Sequence, residues 1–105
     1  MQVLFATLPT VDQVKNHVLR TLCERDYLDP TQTALHQALL VRKGAPCGIL
    51  FEVQGPRRLR NYAVWAGEED RILFYDSTGV RVAETRVCEG PDLTSIDFKA
   101  EGQSA

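Results

Sequence analysis

The sequence predicts an α+β fold in which two N-terminal helices pack on one face of a four- or five-stranded antiparallel meander sheet. Two capped segments in the first half carry apolar residues at helical spacing, and after Gly48 the apolar period changes to two. Only short turns separate the alternating segments, whereas parallel pairing needs long crossovers. A chain of 105 residues suits one domain, which we expect to span residues 1–99, followed by a flexible tail at 100–105.

The first helix is predicted from about 11 to 25, after a short strand or extended lead-in at residues 3–7. Thr10 and Gln13 have the spacing of a capping box. In this motif the side chain of each residue accepts a hydrogen bond from the backbone N–H of the other. The apolar residues that recur at helical intervals are Val11, Val14, Val18 and Leu22.

The second helix is predicted to start at Pro30 and to end before Gly44. Asp29 is a favourable N-cap, and proline is favoured at the first helical position because its missing N–H is not needed there. Gly44 suits the left-handed conformation that commonly ends a helix.

Short alternating segments follow, and they predict the strands of the meander. These segments are ILFEVQ (49–54), LRNYAVWA (59–66), RILFY (71–75) and VRVAETRV (80–87). Between the last two, Asp76 is expected to begin a type I turn in which Gly79 takes a positive φ. Ile96 and Phe98 form one more alternating pair, which would add an edge strand.

Both registers of the predicted strands carry apolar side chains, whereas a sheet with one face in water alternates more cleanly. Two helices cover only one face, so the second face is predicted to be partly apolar and to contact a partner or a ligand. The candidate contact residues are Tyr62, Val64, Trp65 and Tyr75. An alternative stays open, in which the tail folds back over this face through Ile96 and Phe98.

The leading interpretation is a small cytoplasmic interaction module that forms a homodimer or binds a protein partner through the sheet. Three cysteines without a close pair are typical of a reducing compartment. The apolar run before Pro9 is too short for a usual signal peptide or a membrane span, so no membrane association is expected. A second hypothesis is a small-ligand protein or enzyme with a helix–sheet pocket that uses Arg58, Arg60 and either Cys47 or His36.

Arg57, Arg58 and Arg60 form a basic island in a chain whose net charge is −2, and they are candidate anion-binding residues. Weak binding of a nucleic acid or an anion through these arginines is a third hypothesis, and the sequence favours it less than the other two. The following segment lacks the glycine and the further aromatic residues of the RNA-binding RNP1 pattern, and Tyr62 and Trp65 fall on opposite faces of a strand. The simpler interpretation is a hairpin shoulder whose arginines pair with acidic side chains across the sheet.

No sequence motif indicates catalysis, a metal or a cofactor. The chain contains no CxxC, HxH or HExxH spacing, no glycine-rich phosphate loop and no nucleophile elbow. We therefore predict no catalytic residue, no metal site and no cofactor. Whether His17 and His36 approach Cys47 cannot be derived from their spacing along the chain.

Overall fold

A computed structural model describes residues 2–55 and 60–92 of the chain. In chain order its elements are β1 (Gln2–Thr7), α1 (Val11–Arg25), β2 (His36–Arg42), β3 (Ala45–Gln54), β4 (Arg60–Ala66), β5 (Arg71–Tyr75) and β6 (Arg81–Cys88). The six strands form one sheet in the order β1-β6-β5-β4-β3-β2. The predicted fold of two helices on an antiparallel meander is wrong, because the described residues contain one helix and a mixed sheet.

The first helix is confirmed at the predicted residues, and its start depends on local hydrogen bonds. The side-chain oxygen of Thr10 accepts from the backbone N–H of Gln13 at 3.1 Å, and Gln13 Oε1 accepts from the backbone N–H of Thr10 at 3.1 Å. After the helix ends, the amide of Asn61 in β4 donates to the carboxylate of Asp26. This contact attaches the C-terminal end of α1 to the centre of the sheet.

The predicted second helix is wrong, because the residues that follow the turn at Asp29 form β2. Asp29 Oδ1 accepts from the backbone N–H and the hydroxyl of Thr31, at 2.9 and 2.7 Å, so its cap closes a single turn. Lys43 and Gly44 have φ values of 53° and 79°, and they form a two-residue hairpin loop between β2 and β3. Gly44 takes the positive φ that the sequence predicts, but it ends a strand and not a helix.

β1 and β6 pair in parallel, whereas the other four strand pairings are antiparallel. Gln2 lies opposite Ala83 and Thr7 lies opposite Cys88, so almost the whole described chain forms the crossover between these two strands. The predicted meander is therefore extended by an edge strand at each end, β2 beside β3 and β1 beside β6.

The turn between β5 and β6 has the predicted form. Asp76 Oδ1 accepts hydrogen bonds from the backbone N–H of Thr78 and of Val80, at 2.9 and 3.0 Å, and Gly79 has a φ of 88°. Hydrogen bonds from the Thr78 side chain and the Val80 backbone lower the pKa of Asp76. The carboxylate that organises this turn is therefore stabilised in its charged form.

The core lies between α1 and one face of the sheet. Alternate residues of the strands point into it and are buried with the apolar side of the helix. The buried apolar residues of these elements include Val14, Val18, Leu22, Ile49, Phe51, Val53, Ala63, Trp65, Ile72 and Phe74. Within residues 2–55 and 60–92, the single helix is too short to qualify as a membrane-crossing segment. The predicted domain boundary at 99, the tail at 100–105 and the strand at Ile96 and Phe98 lie outside the described residues.

Candidate functional site

The candidate site is the face of the sheet opposite α1, which we call the open face because no described element packs on it. Strand register aligns its side chains in three rows that run across the strands. The first row is Ala38, Leu50, Val64, Leu73, Glu84 and Val3; the second is His36, Glu52, Tyr62, Tyr75 and Arg81; the third is Leu40, Gly48, Ala66, Arg71, Arg86 and Phe5. The first row is apolar at five of its six positions, so an apolar stripe crosses the sheet.

Two tyrosines in the second row form an aromatic pair. Tyr62 and Tyr75 are direct partners of β4 and β5, and their rings stack with a centroid distance of 5.2 Å and an interplanar angle of 13°. The guanidinium of Arg81 lies 5.8 Å from the centroid of the Tyr75 ring, a cation–π distance. The pair is half-buried, so it keeps surface that a partner can contact.

One buried carboxylate organises the third row. The side chain of Glu84 is 4% exposed, and its Oε2 lies 3.1 Å from Arg86 Nε and 3.5 Å from Arg71 Nη1. Arg71 also pairs with Glu69, whose hydrogen bond raises the pKa of Arg71 while the pKa of Glu69 is lowered. Two arginines that lie opposite each other in the register are thus held together by the acid between them.

The open face is more basic than the molecule as a whole. Its arginines are Arg60, Arg71, Arg81 and Arg86, and its carboxylates are Glu52, Glu84 and Glu69, which binds Arg71 from the adjoining turn. Four positive charges therefore meet three negative ones, in a protein whose net charge is −2.

The structure brings together three of the four candidate contact residues. Tyr62, Val64 and Tyr75 lie on the open face, whereas Trp65 is fully buried on the opposite face, against the helix. Leu50 and Leu73, which extend the apolar row, were not among the candidates. The signal that identifies them is the alternation of side chains along β3 and β5, which places Leu50 and Leu73 on the same face as Val64.

Of the candidate anion-binding residues, Arg60 lies on the open face, where its Nη1 is 3.7 Å from Glu52 Oε2. This is the cross-sheet pairing that the simpler interpretation predicts. Arg57 and Arg58 lie outside the described residues.

The two histidines and Cys47 do not form one site. His17 Nε2 and Thr85 Oγ1 are hydrogen-bonded at 2.8 Å on the helix side of β6, and burial, followed by the charge of Arg20, lowers the pKa of His17. β6 is three strands from β3, so about 14 Å separates Thr85 from the strand that holds Cys47. His36 pairs with Glu52, which is five residues and roughly 16 Å along β3 from Cys47. In the part of the chain that the structure describes, no group of three potential metal ligands occurs.

Two open clefts adjoin His36 at the end of β3. One has a volume of about 590 Å³ and is lined by Leu28, Gln32, Thr33, Ala34, His36, Gln54 and Gly55. The other, of about 350 Å³, is lined by His36, Glu52, Gln54 and Arg60. The charged groups of the second cleft already pair with each other, which leaves the imidazole and the amide of Gln54 for an incoming group.

Comparisons of the chain with protein-family models, with curated proteins and with solved structures found no match. What the protein does must therefore follow from its own surface chemistry.

Proposed function

We propose that this protein is a protein-binding module whose open face receives a partner segment that is apolar at its centre and acidic at its margins. The apolar row that crosses the sheet carries this proposal. Protein interfaces combine an apolar centre with a polar rim and are enriched in tyrosine and arginine. The open face has this composition.

The aromatic pair supplies the anchor. A tyrosine offers a large contact area and has few rotatable bonds, so little conformational entropy is lost on binding. Tyr62 and Tyr75 already restrain each other by stacking, and Arg81 lies against the ring of Tyr75. A partner that packs on this pair meets a surface that is organised before binding.

Charge indicates what kind of partner fits. Arginines outnumber carboxylates on the open face by four to three, which favours acidic side chains at the margin of the contact. Two copies of the same face would bring their arginines together, so this face suits a different protein. We also place the module in the cytoplasm, since its cysteines Cys23, Cys47 and Cys88 are all free thiols, as in a reducing compartment.

The experiment is a selection of peptides from a random library displayed on phage, with the purified protein immobilised. We expect the recovered peptides to be enriched in apolar residues and in Asp and Glu. Their affinity should fall at least tenfold in Val64→Glu, which places a charge in the apolar row, and in Arg86→Glu, which reverses a marginal charge.

The matched control is Val41→Glu, the same substitution at an exposed position at the bulged end of β2. It should bind the selected peptides as the wild type does. Circular dichroism must show that each variant is folded. The proposal is wrong if folded Val64→Glu binds the peptides unchanged, or if the selected peptides are basic. Tight binding of a single-stranded oligonucleotide that weakens steeply with salt would instead identify a nucleic-acid surface.

A further inference from the structure

Among the exposed large apolar residues of the described part of the chain, three are consecutive in sequence, and all three lie in the edge strand β1. Val3 and Leu4 are each 41% exposed and Phe5 is 70% exposed, although all three belong to a strand. One side of β1 pairs with β6, and its other side forms the edge of the sheet. An edge strand with apolar side chains and unpaired backbone groups is a template for a further strand.

The opposite edge of the sheet has features that discourage such pairing, whereas β1 has none of them. β2 contains a register irregularity between Leu40 and Val41, and it begins with His36 and ends with Arg42. Bulges and charged side chains are the usual means by which an edge is protected. The segment QVLFAT of β1 carries no charge, no proline and no register irregularity against β6.

The chemistry of β1 fits a second copy of the same strand. Two uncharged strands related by a two-fold axis meet without repulsion between like charges, and the axis gives a closed dimer. The charged residues that β1 meets in its strand pairing belong to β6, where Glu84 and Arg86 lie beside Val3 and Phe5. In such a dimer the two β6 strands are three strand spacings apart, about 14 Å. That distance exceeds the Debye length of about 8 Å at physiological salt.

The pleat of the strand limits the register to those centred on a residue, and the three exposed apolar residues face one another only when that residue is Leu4. Val3 and Phe5 lie on the open-face side, beside Glu84 and Arg86, whereas Leu4 lies on the helix side, beside Thr85. Residues that face each other across a strand pair must point to the same side of the sheet. A two-fold axis normal to the sheet at Leu4 meets this condition, because Leu4 then faces its own copy and Val3 faces the copy of Phe5.

We propose that β1 pairs antiparallel with β1 of a second copy, with the two Leu4 residues opposite each other, so that the two six-stranded sheets become one continuous sheet. The proposal does not depend on the open face as a binding surface, because it uses the edge of the sheet. The dimer covers Phe5, the most exposed large apolar residue of the strand, and leaves the aromatic pair free for the other partner.

The first test is sedimentation equilibrium of the full chain across a hundredfold range of concentration. The wild type should approach twice the monomer mass of 11.8 kDa. Phe5→Lys places a charge on the exposed edge and should raise the dissociation constant at least tenfold. The matched control Val41→Lys, at the other edge, and Val64→Glu, on the open face, should both remain dimeric.

The register is tested by crosslinking in a Cys47→Ser, Cys88→Ser background. Leu4→Cys should oxidise to a covalent dimer, because directly opposed Cα atoms lie within disulfide reach. Phe5→Cys should not form a covalent dimer. In this register residue 5 faces Val3 of the second copy, so the two substituted positions lie two residues apart along the strands.

A wild type that stays monomeric overturns the proposal. So does a dimer that Val64→Glu dissociates while Phe5→Lys leaves it intact, because the contact is then the open face. Crosslinking of Phe5→Cys in preference to Leu4→Cys refutes the register. If Phe5→Lys does not fold, the crosslinking result alone decides whether β1 pairs with β1 of a second copy.

Discussion

Tyr62 and Tyr75 face each other across the pairing of β4 and β5, with ring planes only 13° apart. Most aromatic pairs in proteins are offset or edge-to-face, and a pair in contact contributes about 0.5–1.5 kcal/mol beyond the area it buries. The stack therefore couples two central strands on the face that is not covered by the helix. It also holds both rings in one orientation on the open face.

A double-mutant cycle measures this coupling. Tyr62→Ala and Tyr75→Ala should each destabilise the protein, and the double variant should lose about 1 kcal/mol less than the sum of the two single losses. Urea unfolding of the four proteins gives the value. Additive losses would show that the rings stack without stabilising each other.

Replacement of Glu84 by glutamine should destabilise the fold by about 1–3 kcal/mol, because Arg71 and Arg86 would lose the negative charge between them and face each other as like charges. The control is Glu69→Gln, which removes an exposed partner of Arg71 and should cost much less. Chemical denaturation of both variants at neutral pH makes the comparison. Equal losses of stability in the two variants would mean that the burial of Glu84 does not strengthen its contribution to the fold.

The stability of the protein should depend on the protonation of His17. Burial, and then the charge of Arg20, lowers the pKa of His17 in the folded protein below its ordinary value of 6.5. The unfolded chain therefore takes up the proton more readily. The contribution of His17 to the free energy of unfolding is constant above about pH 6.5. It is lost as the pH falls from there through the lower pKa of the folded state.

Urea unfolding between pH 7.5 and 5 checks this dependence. His17→Gln should lose less stability than the wild type on acidification. The same loss in His17→Gln as in the wild type would assign the pH dependence to other groups.

Gly48 and Gly44 are both required, but for different reasons. A Cβ on Gly48 would collide with the backbone carbonyl of Trp65, so Gly48→Ala should cost about 1–3 kcal/mol through displacement of the backbone. Around Gly44 a Cβ would meet no atom, and Gly44→Ala should cost only about 1 kcal/mol for its positive φ of 79°. Thermal unfolding of both variants tests which substitution destabilises the protein more. A larger loss of stability in Gly44→Ala than in Gly48→Ala would contradict the prediction.

The parts of the fold that depend on local signals could be predicted from the sequence. The capping box of Thr10 and Gln13 locates the start of α1, and the turn that begins at Asp76 has the predicted positive φ at Gly79. The strand β2 could not be predicted in this way. Asp29 and Gly44 are suitable ends for a helix, but they serve a single turn and a hairpin loop, and pairing with β3 decides the conformation between them.

The candidate site could be predicted only in part. Alternation along a strand places Tyr62 and Val64 on one face and Trp65 on the other, as the structure has them. The edge strand β1 was interpretable only as a short strand or lead-in, because its partner lies at the far end of the described chain. No local pattern reveals a parallel pairing between such distant segments.

The parallel pairing also orders events during synthesis. Gln2 pairs with Ala83, which the ribosome adds 81 residues later. At typical rates of about 5–20 residues per second, roughly 4–16 s pass between the two strands. Throughout that interval β1 is a nascent apolar segment without its partner, and the sheet is completed only when β6 has emerged. Of the six strands of this sheet, the one made first can therefore join it only after the one made last.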